Sequence, residues 1–189
     1  MKKINYDNYF WQEDSIRLCA IEIEDSEGYY LNRFDTEGRR QIVHGVELPP
    51  TEVEADQFVK DHIKLFQDGD EYLFIIENIQ GEKVGLAELS WIDEKNGTFS
   101  AGIQIHREYR RKGYGSSAMQ ILLRYAFLER RLNKLNVCII EGNDEGAAFL
   151  DKFGCLKECV RKEMFYSNGK YIAELYYGLL KNEFLNKMK

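Results

Sequence analysis

The hydrophobic pattern between residues 98 and 140 changes period twice, and this change constrains the fold more than any other feature. Residues 98–106 have the composition of a strand, and residues 137–140 form a short apolar run typical of a strand buried on both faces. Between them lie apolar residues at helical spacing: Met119, Leu122, Leu123, Ala126 and Phe127. We expect a helix over 115–131. Because a helix that joins two strands of one sheet makes them parallel, this segment predicts a βαβ unit.

The region before this unit predicts an antiparallel meander. Residues 72–79, 83–92 and 98–106 are rich in β-branched and aromatic side chains and are joined by short connections. Asn96 and Gly97 form a strong hairpin signal, since both residues tolerate a positive φ. Together the two units predict an α/β fold with a mixed sheet and helices on both faces.

The amino-terminal third predicts one strand and two helices. Residues 16–23 form the strand, and residues 24–26 offer N-cap candidates for a short helix that extends toward Asn32. Residues 34–50 are polar and are predicted to form a loop. Thr51 and Glu54 form a capping box that opens the second helix. Its predicted apolar stripe consists of Val53, Phe58, Ile63 and Phe66.

The carboxy-terminal part predicts a capped helix and a hairpin. Asn143 is a candidate N-cap and Gly154 a candidate terminator of the helix between them. Residues 156–166 and 171–180 form the arms of a hairpin around residues 167–169, and the tail from residue 181 is expected to be a frayed helix or coil.

Length and charge narrow the classes of function. A chain of 189 residues predicts one domain, spanning residues 1–189. Its net charge of −6 argues against a nucleic-acid partner, which usually selects a basic surface. No apolar run approaches the ~20 residues of a membrane span, and the amino terminus lacks the apolar segment of a signal peptide. We therefore expect a cytoplasmic protein with neither a membrane nor a nucleic-acid partner.

The cysteines and histidines do not predict a metal site. Cys19, Cys138, Cys155 and Cys159 lie in apolar stretches without a paired spacing, and buried thiols are the simpler interpretation. The three histidines are scattered without a partner at ligand spacing.

One basic loop carries the chemistry. Residues 107–116, between the last strand of the meander and the long helix, have four basic side chains among the first six and glycines at 113 and 115. Glycine allows close approach of a ligand to the backbone, and a helix amino terminus offers free N–H groups and partial positive charge. The loop suits a pyrophosphate, although a solvated basic turn has the same composition. It matches neither the Walker A nor the Rossmann pattern.

The motif around this loop resembles that of the GNAT acetyltransferases. Arg110-x-x-Gly113-x-Gly115 is similar to the family's Q/R-x-x-G-x-G/A signature, and residues 102–109 resemble its lead-in. Residues 143–155 resemble a second family element, and the similarity extends over about residues 15–180. Residues 154–158 and the ending of the chain are most similar to the RimJ/RimL-type branch.

This resemblance implies acetyl-CoA as cosubstrate and no metal. Backbone groups of Gln104 and Ile105 would pair with the pantetheine arm, N–H groups from Arg111 to Ser116 would hold the pyrophosphate, and Asn143 would contact the pantetheine or the acceptor. The implied cofactor-binding set is Gln104, Ile105, Arg110, Arg111, Lys112, Gly113, Tyr114, Gly115, Ser116 and Asn143. Gly113→Val is expected to weaken cofactor binding and to leave the fold intact.

The catalytic groups depart from the family pattern. Leu150 and Ser100 stand where many relatives have Tyr and Glu. The candidate catalytic residues are Glu141 and Glu158, although each also fits a solvated or backbone-bonded carboxylate. Further candidates are Glu88 as a base and Tyr166 or Tyr177 as an acid.

Three functions fit these observations. The first is an N-acetyltransferase that acts on a primary amine such as a protein N-terminus, and the second is an N-acetyltransferase for a polyamine, an aminoglycoside or an amino acid. The third is a non-catalytic acyl-CoA-binding module, which the departures at Leu150 and Ser100 suggest. A cluster of carboxylates in the cleft would favour a polyamine, and an open groove would favour a peptide. The resemblance is compatible with a homodimer.

Overall fold

The predicted mixed sheet is present in the computed structural model, which describes residues 8–69 and 71–187. Its eight strands lie in the order β1-β2-β3-β4-β5-β6-β8-β7, and β5 and β6 form its parallel pair. The strands are β1 (Gln12–Glu13), β2 (Ile16–Ala20), β3 (Tyr72–Asn78), β4 (Lys83–Asp93), β5 (Thr98–Ile105), β6 (Lys134–Ile140), β7 (Leu156–Ser167) and β8 (Lys170–Leu180). The meander and the crossover unit predicted from the sequence are both confirmed.

Helices cover both faces of the sheet. They are α1 (Ser26–Asn32), α2 (Thr36–Val43), α3 (Glu52–Asp68), α4 (Tyr114–Arg124), α5 (Asp144–Phe153) and α6 (Lys181–Lys187), and a π-helical turn (Tyr125–Glu129) prolongs α4. Successive residues of β3 alternate between the two faces. Phe74 and Ile76 join the core under α4, whereas Leu73 and Ile75 pack with α1 and α3.

The loop predicted over residues 34–50 is wrong in its first half, where α2 lies. Asp35 caps α2 by accepting a hydrogen bond from the Gly38 N–H at 3.3 Å, and His44 ends it with a φ of 61°. The buried inward residue of α2 is Arg39, whose Nε donates to Glu47 at 2.6 Å. A helix whose inward side chain is a paired cation has no apolar stripe, so its sequence pattern is that of a loop.

The capping box of α3 is confirmed, but the predicted apolar stripe is wrong at one end. Val53 is 77% exposed, and Ala55 and Val59 are the buried residues. Val53 lies two residues before Ala55, which is about 200° around the helix and faces solvent.

The two hairpin turns differ from each other. Asn168 and Gly169 both adopt a positive φ, of 52° and 77°, as a tight two-residue turn requires. In the earlier turn only Gly97 does so, because the Asp93 side chain accepts from the Asn96 N–H at 2.9 Å and builds a longer turn. The tail predicted as frayed helix or coil forms α6.

The cysteines are less buried than predicted. Cys155 is buried, Cys19 and Cys138 are half-buried, and Cys159 is exposed. Cys159 lies on β7, an edge strand whose residues are mostly exposed on both faces. Among residues 8–69 and 71–187 no set of side chains could hold a metal ion, and no helix has the length and apolar character needed to cross a membrane.

Candidate active site

The sheet opens between its two parallel strands. β5 and β6 pair with each other only at Thr98↔Lys134 and Phe99↔Leu135. Beyond these residues β5 continues to Ile105 paired with β4, and β6 continues to Ile140 paired with β8. This divergence leaves the middle of β6 half-buried, so the prediction of a strand buried on both faces is wrong there. The opening exposes backbone groups of β5 inside the sheet, where an extended ligand can pair with them.

Strand alternation decides which backbone groups face the opening. His106 N–H donates to Val84 O of the neighbouring segment at 2.9 Å. Since N–H groups of a strand point alternately to its two sides, the backbone of Gln104 faces β4 and that of Ile103 and Ile105 faces the opening. The backbone groups available to an extended ligand are therefore those of Ile103 and Ile105, and not those of Gln104 as predicted. The alternation of the strand, counted in steps of two from Ile105, identifies Ile103 from the sequence.

The glycines of the basic loop place the start of α4 close to β5. Gly113 is the N-cap of α4 with a φ of 87°, and a Cβ placed on it would meet nothing within 4 Å. A Cβ on Gly115 would lie 3.3 Å from Cγ2 of Ile103. The first N–H groups of a helix have no partner within it. They lie here beside the opening, on a groove of about 660 Å³ that residues 109–116 line together with Asn143.

The side chains of this loop make contacts within the protein. The Arg110 guanidinium donates to Ile105 O at 3.0 Å and also to the Asp35 carboxylate. Arg111 pairs with Glu145 at 2.9 Å, with both side chains exposed. The Lys112 ammonium lies 4.9 Å from the ring centroid of Tyr109. Arg110 thus holds the loop to α2 and β5, while Arg111 and Lys112 remain at the surface.

The loop and α2 share an ionic contact at Asp35. Arg107 also donates to this carboxylate, at 3.0 Å. Burial opposes the charge, but hydrogen bonds from the Gly38 N–H and the Arg110 guanidinium hold the pKa of Asp35 below its ordinary value. The carboxylate therefore stays ionised throughout the neutral range.

Asp35→Asn tests this contact. Asparagine caps helices as well as aspartate does, so α2 should remain while both ion pairs are lost. We expect the Kd for acetyl-CoA to rise about threefold to tenfold, because the released loop must be ordered on binding. Calorimetric titration measures it, and Glu37→Gln, which removes an exposed partner of Arg107, is the matched control. An unchanged Kd in Asp35→Asn would show that the ionic contact at Asp35 does not contribute to acetyl-CoA binding.

A second cavity passes through the opening from one face of the sheet to the other. Its volume is about 490 Å³, and Tyr29, Phe58 and His62 line it on the α3 side. Met119 and Leu150 line it on the opposite side. Because Leu150 is buried there, α5 offers no hydroxyl proton donor at that position.

Glu88 is the one carboxylate among the described residues that line this cavity. It lies opposite Gly102 in the β4–β5 register. A Cβ on Gly102 would lie 3.9 Å from Glu88 Oε2, so the absent side chain leaves room beside the carboxylate. Ser90 and Ser100 line the same part of the cavity.

Asn143 borders both cavities. Its side-chain Oδ1 accepts from the Gly146 N–H at 2.9 Å and caps α5, as predicted. The capping bond uses the oxygen, and the NH₂ group is left to serve a ligand.

The structure does not bring the candidates Glu141 and Glu158 into the cavity. Glu141 Oε2 accepts from the Ala173 N–H at 3.1 Å, at the end of β6. Glu158 forms a salt bridge with Lys134 at 2.8 Å, near the start of β6. Neither residue lines either of the two cavities.

The two tyrosine candidates also lie elsewhere. Tyr177 is buried in the core, and Tyr166 is exposed against the Tyr171 ring, with a centroid distance of 5.1 Å. Neither of them borders the cavity that holds Glu88.

A family model described as "Acetyltransferase (GNAT) domain" matches residues 15–156. The chain belongs to this family. The match contains the opening between β5 and β6, the basic loop and α4. The protein is an acetyl-CoA-dependent N-acetyltransferase, and acetyl-CoA is its cosubstrate.

The relatives of this GNAT acetyltransferase differ in the acceptor that their names state, and one name states none. It is 26% identical over 175 residues to the SPbeta prophage-derived uncharacterized N-acetyltransferase YokL of Bacillus subtilis, covering 93% of this chain and 95% of that one. It is 33% identical over 103 residues to the putative ribosomal N-acetyltransferase YdaF of Bacillus subtilis, covering 54% of this chain and 56% of that one. Identity to the spermidine N(1)-acetyltransferase of Escherichia coli K12 is 26% over 175 residues, covering 93% and 91%.

Solved structures confirm the fold. The spermidine N-acetyltransferase from Vibrio cholerae, solved with CoA and spermine, superposes with a TM-score of 0.81 at 22% identity and covers 92% of this chain and 100% of that one. The ribosomal L7/L12 acetyltransferase RimL, solved with CoA, superposes with a TM-score of 0.78 at 16% identity, covering 90% and 97%.

Proposed function

We propose that this acetyltransferase acts on the amine of a peptide N-terminus, like the ribosomal-protein enzymes of the RimJ/RimL-type branch, and not on a polyamine. The observation that carries the proposal is the lining of the acceptor cavity, where Glu88 is the one carboxylate among the described residues. A polyamine carries several positive charges, and each would need a carboxylate partner in a partly buried site. A peptide N-terminus needs one, and the side chain next to it suits apolar walls such as Ile42 and Phe58.

Glu88 is proposed as the general base. The attacking amine must lose a proton, and a carboxylate within the cavity can accept it. Glu88 replaces Glu141 and Glu158 in this role, since those two carboxylates are bonded elsewhere. The room beside Gly102 is where the amine would lie.

A route for the proton leads from Glu88 toward α3. Leu73 pairs with Glu88 in the β3–β4 register, so Glu71 lies diagonally beside Glu88 on the same face. His62 Nδ1 lies 2.8 Å from Phe58 O, and because a carbonyl only accepts, Nδ1 must carry its proton. His62 Nε2 lies 3.4 Å from Glu71 Oε1, which is within ion-pair distance when the imidazole is protonated. The pKa of Glu71 is raised, mainly by burial and secondly by the nearby charge of Glu88. A raised pKa suits a carboxylate that receives protons.

The cosubstrate is proposed to lie along the opening, on the α4 side. N–H groups from Arg111 to Gly115 would hold the pyrophosphate, with Lys112 adding charge from the surface, and the backbone of Ile103 and Ile105 would pair with the pantetheine arm. The Ser116 N–H, included in the expectation from the sequence, donates to Gly113 O at 2.9 Å instead. The cosubstrate supplies an activated acetyl thioester. The backbone N–H groups that face the opening are suited to stabilise an oxyanion.

We also propose that residues 1–189 form a single domain. The family match ends at residue 156, but every residue of β6 pairs with β8, and Phe184 of α6 is buried in the core under α4. The last hairpin and α6 therefore complete the same sheet and core.

A titration followed by an acceptor panel tests the proposal. Acetyl-CoA, desulfo-CoA and ATP are titrated calorimetrically, and thiol release is then measured with alanyl and seryl peptides and with spermidine. We expect acetyl-CoA to bind and kcat/KM for the best peptide to exceed that for spermidine by at least about tenfold. The reverse order would assign the enzyme to polyamines. Binding without thiol release from any amine would leave a non-catalytic acyl-CoA-binding module.

A further inference from the structure

Two side-chain amides at the site each have one buried atom without a hydrogen-bond partner among the described residues. Gln104 is 8% exposed, and its Nε2 bonds to no group in residues 8–69 and 71–187. Within the same described part of the chain, the buried Oε1 of Gln41 on α2 also has no partner. A buried donor or acceptor without a partner is costly and rare, so two at one site need an explanation.

Both amides lie where the two cavities meet. Gln41 and Gln104 line the groove beside the basic loop and also the cavity that holds Glu88. Among the described residues, the Gln104 Nε2 donor has no acceptor and the Gln41 Oε1 acceptor has no donor. Together they present the hydrogen-bonding complement of a secondary amide, whose C=O accepts and whose N–H donates.

The strand places the Gln104 side chain on the acceptor's side of the sheet. Residues 100, 102 and 104 of β5 face the same way, and Glu88 lies opposite Gly102. Ile103 and Ile105 face the other way, toward Gly115 and α4, where the cosubstrate is expected. The amide pair therefore belongs with Glu88 and the acceptor and not with the pantetheine arm.

We propose that Gln41 and Gln104 recognise the first peptide bond of the acceptor. Gln104 Nε2 donates to the peptide carbonyl, and Gln41 Oε1 accepts from the peptide N–H, while Glu88 contacts the amine. Positions 102 and 104 are about 7 Å apart along the strand, which suits an amine and an amide separated by one carbon atom and each reached by a hydrogen bond. A polyamine has no such amide. This inference rests on the proposed function and adds the groups that select the substrate.

Matched acceptors separate the two hydrogen bonds. Alanine N-methylamide has both the carbonyl and the N–H, alanine methyl ester lacks the N–H, and isopropylamine lacks both. We expect the wild-type protein to prefer the amide over the ester by about tenfold in kcat/KM. Gln41→Leu should abolish that preference. Gln104→Leu should lower kcat/KM for amide and ester together by about tenfold relative to isopropylamine.

The control variant is Gln67→Leu, since Gln67 is exposed near the end of α3. It should keep the wild-type order of the three acceptors. If Gln41→Leu and Gln104→Leu also keep that order, the inference is overturned. If these two variants instead raise the Kd for acetyl-CoA about tenfold and leave the acceptor order intact, the amides serve the pantetheine arm and the inference is equally overturned.

A binding measurement separates this inference from the proposed function. N-acetylalanine N-methylamide and N-acetylalanine methyl ester are titrated calorimetrically in the presence of CoA. Tighter binding of the amide, lost in Gln41→Leu, supports the amide pair even if no amine is turned over, in which case the proposed reaction alone fails. Equal binding of amide and ester to the wild-type protein overturns the inference whatever the activity.

Discussion

Glu88→Gln is expected to lower kcat/KM by about 10²- to 10⁴-fold, the usual contribution of a positioned general base. Glutamine keeps the size and the hydrogen-bonding reach of the side chain but cannot take a proton at neutral pH. The Kd for acetyl-CoA should stay within a factor of about two, because Glu88 lies on the face of the sheet opposite Gly115 and α4. Steady-state thiol release and calorimetry measure the two quantities.

Three further variants decide whether the loss is specific to proton transfer. Glu88→Asp keeps a carboxylate on a shorter side chain and should recover part of the rate. Glu141→Gln and Glu158→Gln should lose far less activity than Glu88→Gln, because their carboxylates bind the Ala173 N–H and Lys134. A large loss in Glu141→Gln with an active Glu88→Gln would move the base to the end of β6.

The order and direction of the main elements follow from local signals in the sequence. The meander and the crossover helix have clear periods of two and 3.6, and their short connections leave few possible topologies. The opening between β5 and β6 has no such signal. It depends on where two parallel strands stop pairing with each other, at Phe99 and Leu135, and that point is set by long-range packing and not by a local residue pattern.

The parts of the proposed site that lie at helix starts were predictable. The glycines at 113 and 115 and the N-cap at Asn143 were found because helix starts require particular residue types. The role of Arg110 was not, since its partner Asp35 lies 75 residues away on a helix with no apolar stripe. Long-range ion pairs leave no local pattern.

Glu88, the proposed general base, shows the same limit, since the sequence alone offers it only as a further candidate. Glu141 and Glu158 stand beside family motifs in the sequence, yet proximity to a motif along the chain does not direct a side chain into the cavity. Glu88 faces it because of its register with Gly102 on the neighbouring strand. A two-residue turn at Asn96 and Gly97 would fix which residues of β4 and β5 face each other. The turn is longer because Asp93 accepts from the Asn96 N–H, and the pairing shifts by one residue between Ser90 and Asp93, so the sequence alone does not give the correct partners.

Gly113→Val is expected to raise the Kd for acetyl-CoA by about 10- to 100-fold, equivalent to about 1.5–3 kcal/mol, the strength of a hydrogen bond to a charged group. A Cβ on Gly113 would meet no atom within 4 Å beyond its chain neighbours, and Gly113 itself lines the groove. A side chain there would separate the pyrophosphate from the first N–H groups of α4. Unlike the expectation from the sequence, the fold should also lose stability. The φ of 87° is unfavourable for any side chain and costs about 1–2 kcal/mol.

Gly81→Val separates the two effects. Gly81 has a φ of 83° in the turn between β3 and β4, and a Cβ there would meet Glu77 Oε1 only at 3.9 Å. Both variants therefore carry the same backbone strain in an open position, and chemical denaturation should show similar losses. Only Gly113→Val should lose affinity for acetyl-CoA, because only its side chain borders the groove. An equal loss of affinity in both would attribute the effect to strain, and an unchanged affinity in Gly113→Val would place the pyrophosphate away from the start of α4.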